Sequence, residues 1–217
     1  LIIATHHIIV DGWCLSLYLN DLFSYLDAEV NGKEIIEPNI GCTDGKYEQA
    51  VREILSKDMT AARRYWSKLL EGYDTKAEVH SWRSIPASEQ NYADECVVAI
   101  PKPLTESLTK LCQDEKATLS NAAEMAWGLL LHTYSRTDDA VFAKVVSGRD
   151  NTSVDVSNVV GLFLNSIPVR VRKDKDTTAR MLLRELQRQS ASSNDYDFCP
   201  LGEIQNESSL GDGLFQS

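Results

Sequence analysis

His6-His7-Ile8-Ile9-Val10-Asp11-Gly12 is the stretch on which the fold turns, and Trp13-Cys14-Leu15-Ser16-Leu17-Tyr18-Leu19-Asn20-Asp21-Leu22-Phe23 follows it without a break. Apolar, β-branched residues at 1–5 and 8–10 predict a buried strand that runs into a turn at Asp11-Gly12. Beyond the turn, the spacing of Trp13, Leu15, Leu17, Leu19, Leu22, Phe23 and Leu26 fits an amphipathic helix, stopped by Asn31-Gly32. Successive side chains of a strand point to opposite faces, so adjacent histidines cannot serve one pocket. One is expected to face a cavity and the other to be held in the core by hydrogen bonds. Asp11 stands at the foot of a helix, where a carboxylate caps amides or pairs with an arginine. Gly12 leaves the turn without a side chain, which allows a ligand to approach the backbone.

Outward from there, the pattern predicts helices at about 44–56 and 58–71, the second ending at Gly72. The polar stretch 73–93 contains Pro86 and has no helical period, as a linker would. A strand is expected at 96–100, a helix from Pro103 to about Glu115, and another at 120–135. A buried strand at 140–146 runs into Ser147-Gly148-Arg149-Asp150, and a second strand is expected at 167–171. A helix at 177–189 follows, and the last stretch is loop-like by composition. Helices and strands mix in both halves, which implies an α+β or α/β class.

The chain has 217 residues, 43% of them hydrophobic, which suffices for a core. With 22 Lys+Arg against 32 Asp+Glu the formal charge is −10, the wrong sign for tracking nucleic-acid phosphates. No run approaches the ~18 apolar residues of a membrane span. Leu1-Ile2-Ile3-Ala4-Thr5 has no basic n-region and reads as a strand entered partway rather than a signal peptide. Cys14, Cys42, Cys96, Cys112 and Cys199 are scattered and form no C-x-x-C, which suits reduced thiols better than a disulfide framework or a zinc site. No metal site is expected: the histidine pair lacks zincin spacing, and His80 and His132 have no ligand-like neighbours. No G-x-S-x-G elbow is present, and Gly41–Lys46 is a turn rather than a phosphate loop.

HHIIVDG resembles the HHxxxDG signature of nonribosomal peptide synthetase condensation domains, and GWCLSLYLNDLF continues that family's helix. VSGRD (146–150) is similar to its VSGR-type segment, VVGLFLNSIPVRV (159–171) to its VGxFxNxxPxR motif, and SNDYDFCPLGEIQ (193–205) to its HxxYPLxEI-type stretch. The matches follow the family's order along nearly the whole chain. The resemblance implies a chloramphenicol acetyltransferase-like, two-lobed α+β fold, present as a fragment truncated at both ends. Residues 1–75 would be the end of the N-terminal lobe, 76–93 the inter-lobe linker, and 94–217 most of the C-terminal lobe.

The implied reaction is amide formation between a donor acyl or peptidyl thioester and an acceptor aminoacyl thioester. The resemblance implies that the domain itself binds no cofactor and that its substrates ride on the phosphopantetheine of donor and acceptor peptidyl carrier proteins, beside an adjacent adenylation domain. The resemblance implies no nucleic-acid or membrane partner and a cytoplasmic setting. The resemblance makes His7 the catalytic residue, as general base or as a positioning group, with His6 structural. It gives Asp11 a salt bridge that fixes the turn, to Arg170 or to an arginine in a preceding segment. Gly12 would line the donor side. Asn165 and Ser166 would contact substrate or else satisfy loop amides. Ser147 and Arg149 would latch the lobes or form a solvated turn, and Trp13, Trp66 and Trp127 would pack the core. The 217 residues alone would be inactive. An epimerization domain of the same superfamily and a catalytically silent interaction platform are the alternatives.

Overall fold

The computed structural model describes residues 2, 4–34, 45–77, 79 and 96–215. Most of the expected linker 76–93, together with Cys42 and His80, lies outside the described residues. Among the described residues, seven α-helices and two strands follow in the order α1 (Gly12–Asn31), α2 (Lys46–Leu55), α3 (Met59–Leu70), α4 (Lys102–Asp114), α5 (Leu119–Ser135), β1 (Asp139–Val146), β2 (Asn165–Arg172), α6 (Ala179–Ser193) and α7 (Leu201–Asn206). Short 3₁₀ turns occupy Arg149–Asn151 and Gly211–Phe215. The chain divides into two compact units, one formed by Leu1–Ala62, Val145–Ser166 and Asp197–Pro200, the other by Arg63–Lys144, Ile167–Tyr196 and Leu201–Ser217.

In the first unit, α1 starts where Asp11, in extended conformation, accepts the amide N–H of Cys14, and it ends where Gly32 turns left-handed at φ 60°. Its described residues bury Cys14 and Ala28, while Leu15, Phe23 and Val30 are exposed. The core of this unit is Ala50, Val156, Val159 and Phe163, with Ile54 and Val154 packed against it. Ala50 and Ile54 stand one turn apart on α2, so helical spacing alone brings them to one face.

The second unit is built on α4, α5 and α6 around a two-stranded sheet. The Lys173 N–H donates to the Asp138 carbonyl at 2.9 Å, joining the end of β2 to the start of β1, so the strands run antiparallel. Val169 and Val171 from β2 meet Leu182 and Leu186 from α6, with Met125 and Leu129 of α5 alongside. Each such burial is worth about 1.5–3 kcal/mol. A Cβ at Gly128 would fall 2.4 Å from Val171 Cγ2, so the missing side chain lets α5 settle directly on β2. Thr118 and Asn121 form a capping box at the start of α5, and Thr178 caps α6. His132 is buried with its Nε2 2.9 Å from the Val171 carbonyl, a core histidine tying α5 to β2.

Several expectations change here. Residues 4–10 form no strand: the Ile9 N–H closes a turn onto the His6 carbonyl at 3.2 Å, and Ile8 and Ile9 are exposed. The 96–100 segment is likewise outside any sheet, with Val97 82% exposed. A strand needs a neighbour for its amides and carbonyls, and among the described residues neither segment has one. Composition also misjudged the tail, where α7 and a 3₁₀ turn replace the expected loop. Trp66 is fully buried, donating its indole N–H to the Tyr196 carbonyl at 3.2 Å, but Trp13 and Trp127 are half exposed and are not core residues.

Candidate active site

Asp11 organises the turn after the histidines. Its carboxylate is almost wholly buried, with the side chain 1% exposed, and it meets the Arg149 guanidinium, whose side chain is 7% exposed. Arg149 Nη2 donates to both carboxylate oxygens, at 3.0 and 3.2 Å. The Phe163 N–H donates to Oδ2 at 3.2 Å, and the Cys14 N–H and thiol to Oδ1 at 3.3 and 3.2 Å. Burial pushes the Asp11 carboxyl up, but the hydrogen bonds from Cys14, Arg149 and Phe163 and the Arg149 charge outweigh it and hold it below the ordinary carboxylate value.

Arg149 reaches this position from a 3₁₀ turn entered through Gly148 at φ 64°. A Cβ at Gly148 would lie 2.0 Å from the Phe163 carbonyl oxygen, so both the backbone conformation and the space demand glycine. The other terminal nitrogen, Nη1, donates to the carbonyls of Val156 and Val159, at 2.7 and 3.0 Å. The ring of Phe163 sits against the same cation, its centroid 4.6 Å from Cζ. The strap 156–163 is thus drawn onto Arg149. Trp13 Nε1 donates to the Ser157 carbonyl at 2.9 Å and secures the strap further. The expected choice for Arg149, latch or solvated turn, therefore resolves into a buried partner of Asp11.

Arg170 is corrected accordingly: it is not the partner of Asp11. Its Nε and Nη2 grip Asp139 at 2.9 and 2.5 Å, and Nη1 donates to the Leu69 and Glu71 carbonyls, each at 2.8 Å. It neutralises Asp139 and caps the C-terminal carbonyls of α3 within the second unit. Alternation explains the error. Arg170 ends the NSIPVR run, but position along a motif does not specify which way a strand residue points.

Both histidines are exposed, which corrects the expectation of a buried His6. Because the segment is a turn rather than a strand, alternation does not apply to it. His6 Nδ1 accepts the Ile8 N–H at 3.1 Å and so helps shape the turn. His7 Nδ1 lies 3.4 Å from the Val10 carbonyl. A carbonyl only accepts, so Nδ1 is the donor in this contact, which in the neutral imidazole makes Nε2 the acceptor. Gly12 is exposed, and a Cβ there would meet nothing within 4 Å. Asn165 Nδ2 donates to the Asp197 and Cys199 carbonyls at 2.7 and 2.6 Å, and Ser166 beside it is half-buried.

Sequence reasoning missed Cys14. Its sulfur accepts the Gly161 N–H at 3.4 Å and also lies 3.4 Å from the Gly161 carbonyl, joining the first turn of α1 to the strap. Nothing in the composition marks such a thiol. Its helical position three residues after a capping Asp was the available signal. Among the described residues no cluster of His, Cys, Asp and Glu is arranged to hold a metal ion, and no helix is long and apolar enough to cross a membrane.

Comparison with known proteins bears on this geometry. The family model described as Condensation domain matches residues 1–217. Tyrocidine synthase 3 of Brevibacillus parabrevis is 34% identical over 210 residues, which is 97% of this chain but 3% of that protein. The first condensation domain of the CDA synthetase superposes with a TM-score of 0.71 at 18% identity, over 98% of this chain and 46% of that one. The epimerization domain from the third module of tyrocidine synthetase B gives 0.70 at 19%, over 97% and 49%. The fold is therefore the chloramphenicol acetyltransferase-like α+β class that the motifs implied, and the chain spans just under half the length of these two solved domains. With its whole length matched and its histidine turn locked by Asp11, the chain belongs to the condensation-domain family.

Proposed function

We propose that this chain is part of a condensation domain that forms peptide bonds in a nonribosomal peptide synthetase. The observation that carries this reading is the histidine turn itself, where Asp11 is fixed by Arg149 while His7 stays open to solvent. The acceptor's α-amine attacks the donor thioester carbonyl, a C–N bond forms, the C–S bond breaks, and the carrier thiol leaves. His7 Nε2 takes the amine proton or holds the amine by a hydrogen bond. No acyl-enzyme is required, because the nucleophile arrives as an amine. Thioesters are already activated, so positioning contributes as much as proton transfer.

On this reading His6 and Asp11 shape the turn, Arg170 is structural, and Gly12 leaves room on the donor side. Asn165 and Ser166 sit near substrate. Both substrates arrive on phosphopantetheine arms of donor and acceptor peptidyl carrier proteins, with an adenylation domain adjacent, in the cytoplasm. The lobe division at 1–75, 76–93 and 94–217 stays with this proposal. Single-turnover transfer between two loaded carrier proteins tests it. Dipeptide on the acceptor carrier is expected from the complete domain. Inversion of the donor residue without an acceptor would replace this reading with epimerization, and carrier binding without either reaction would replace it with a platform.

A further inference from the structure

Gly161 leaves a gap in the strap 156–163 that the ring of Tyr47 fills. A Cβ at Gly161 would lie 2.3 Å from both Cδ2 and Cε2 of Tyr47. Gly161 is not among the glycines held at positive φ, so what a Cβ there would have to displace is the Tyr47 ring, itself 36% exposed. The Tyr47 ring also stands edge-on to Phe163, with centroids 5.3 Å apart at 80°, and its hydroxyl reaches the Leu162 carbonyl at 3.5 Å. One side chain of α2 thus touches three successive residues of the strap. Two of the three are also held by other partners, Gly161 by Cys14 in the first turn of α1 and Phe163 by Asp11. The ring itself is anchored because Ala50 and Ile54, further along α2, pack in the core of that unit.

We propose that Tyr47 is a positioning residue for the condensation reaction: its ring seats the strap on Asp11 and Arg149 and so sets the turn that carries His7. This rests on the functional reading above. The ring does the seating, since the hydroxyl contact is at the limit of a hydrogen bond. Phenylalanine should therefore replace it.

The test is a bump-and-hole cycle in the complete domain, read as transfer between loaded carrier proteins and as thermal unfolding of the same samples. Gly161→Ala, which drives a methyl into the ring, should slow transfer about tenfold or more, with the loss in kcat rather than in KM for the carriers. Tyr47→Ala alone should slow it about fivefold, and Tyr47→Phe should stay within about twofold of wild type. The double variant Tyr47→Ala/Gly161→Ala should recover to about the rate of Tyr47→Ala, because the new methyl occupies the vacated space. If Gly161→Ala does not fold, a folded double variant makes the same point. A double variant as slow as Gly161→Ala, or Tyr47→Ala at the wild-type rate, overturns the proposal. A wild-type domain that transfers nothing would overturn the condensation reading instead. The seat would then stand or fall on whether the two substitutions couple in unfolding.

Discussion

Arg149 Nη2 reaches both carboxylate oxygens of Asp11, at 3.0 and 3.2 Å, across 138 residues of sequence. Removing one partner strands a buried charge, which costs about 3–5 kcal/mol for a fully buried pair. Asp11→Ala and Arg149→Ala should each lower the unfolding free energy by an amount of that order. The double variant should cost much less than the sum. Asp11→Ala and Arg170→Ala should instead add, because Arg170 serves Asp139. Denaturant titration of these single and double variants decides it. Coupling of Asp11 to Arg170 in place of Arg149 would contradict the assignment.

Arg170 is itself a structural clamp. It holds Asp139 through two nitrogens and, through the third, the carbonyls of Leu69 and Glu71 at the C-terminal end of α3, while Gln189 closes both backbone groups of Arg170 at 2.9 Å. Arg170→Lys cannot reproduce the fork. It should destabilise the protein by about 2–3 kcal/mol, below the fully buried figure because Asp139 is 26% exposed. Equilibrium unfolding measures this. A loss below about 0.5 kcal/mol, the size of an ordinary surface substitution, would show that the clamp contributes little.

Glu115 links α4 to α6 through Arg180 and Arg184. Hydrogen bonds from those arginines, Arg180 first, hold its carboxyl below the ordinary glutamate value. A carboxyl lowered by folding stabilises the protein fully above its unfolded value of about 4.3, and that stability is lost as pH falls through the folded value. Thermal midpoints measured between pH 7 and pH 3 should therefore fall less steeply at the acid end for Glu115→Gln than for wild type. Parallel curves would contradict the linkage.

Sequence carried the helices well and the pairing poorly. The apolar spacing from Trp13 to Leu26 and the Gly32 stop located α1 to within a residue or two, because helical periodicity and caps are local signals. The strand expected at 1–10 had the right composition, but a ladder is a relation between segments, and its partner cannot be read from either one. The same limit governed the site. Asp11 announced both a cap and an arginine partner, and it has both, yet nothing local distinguishes Arg149 from Arg170. The left-handed turn at Gly148 that delivers Arg149 to Asp11 shows only in the structure. The Gly161–Tyr47 contact lies beyond such reasoning, since it depends on where α2 packs.

The most direct measurement is the rate of single-turnover transfer between two loaded carrier proteins for the complete domain, wild type against His7→Ala, with His6→Ala as the folding control. His7 is exposed and makes few contacts beyond the Val10 carbonyl, so its removal should leave the unfolding midpoint close to wild type. Transfer should slow by about 10²-fold or more if Nε2 accepts the amine proton. His6→Ala, which loosens the turn through the lost Ile8 contact, should slow it far less. A folded His7→Ala domain that transfers at the wild-type rate would contradict catalysis at the histidine turn.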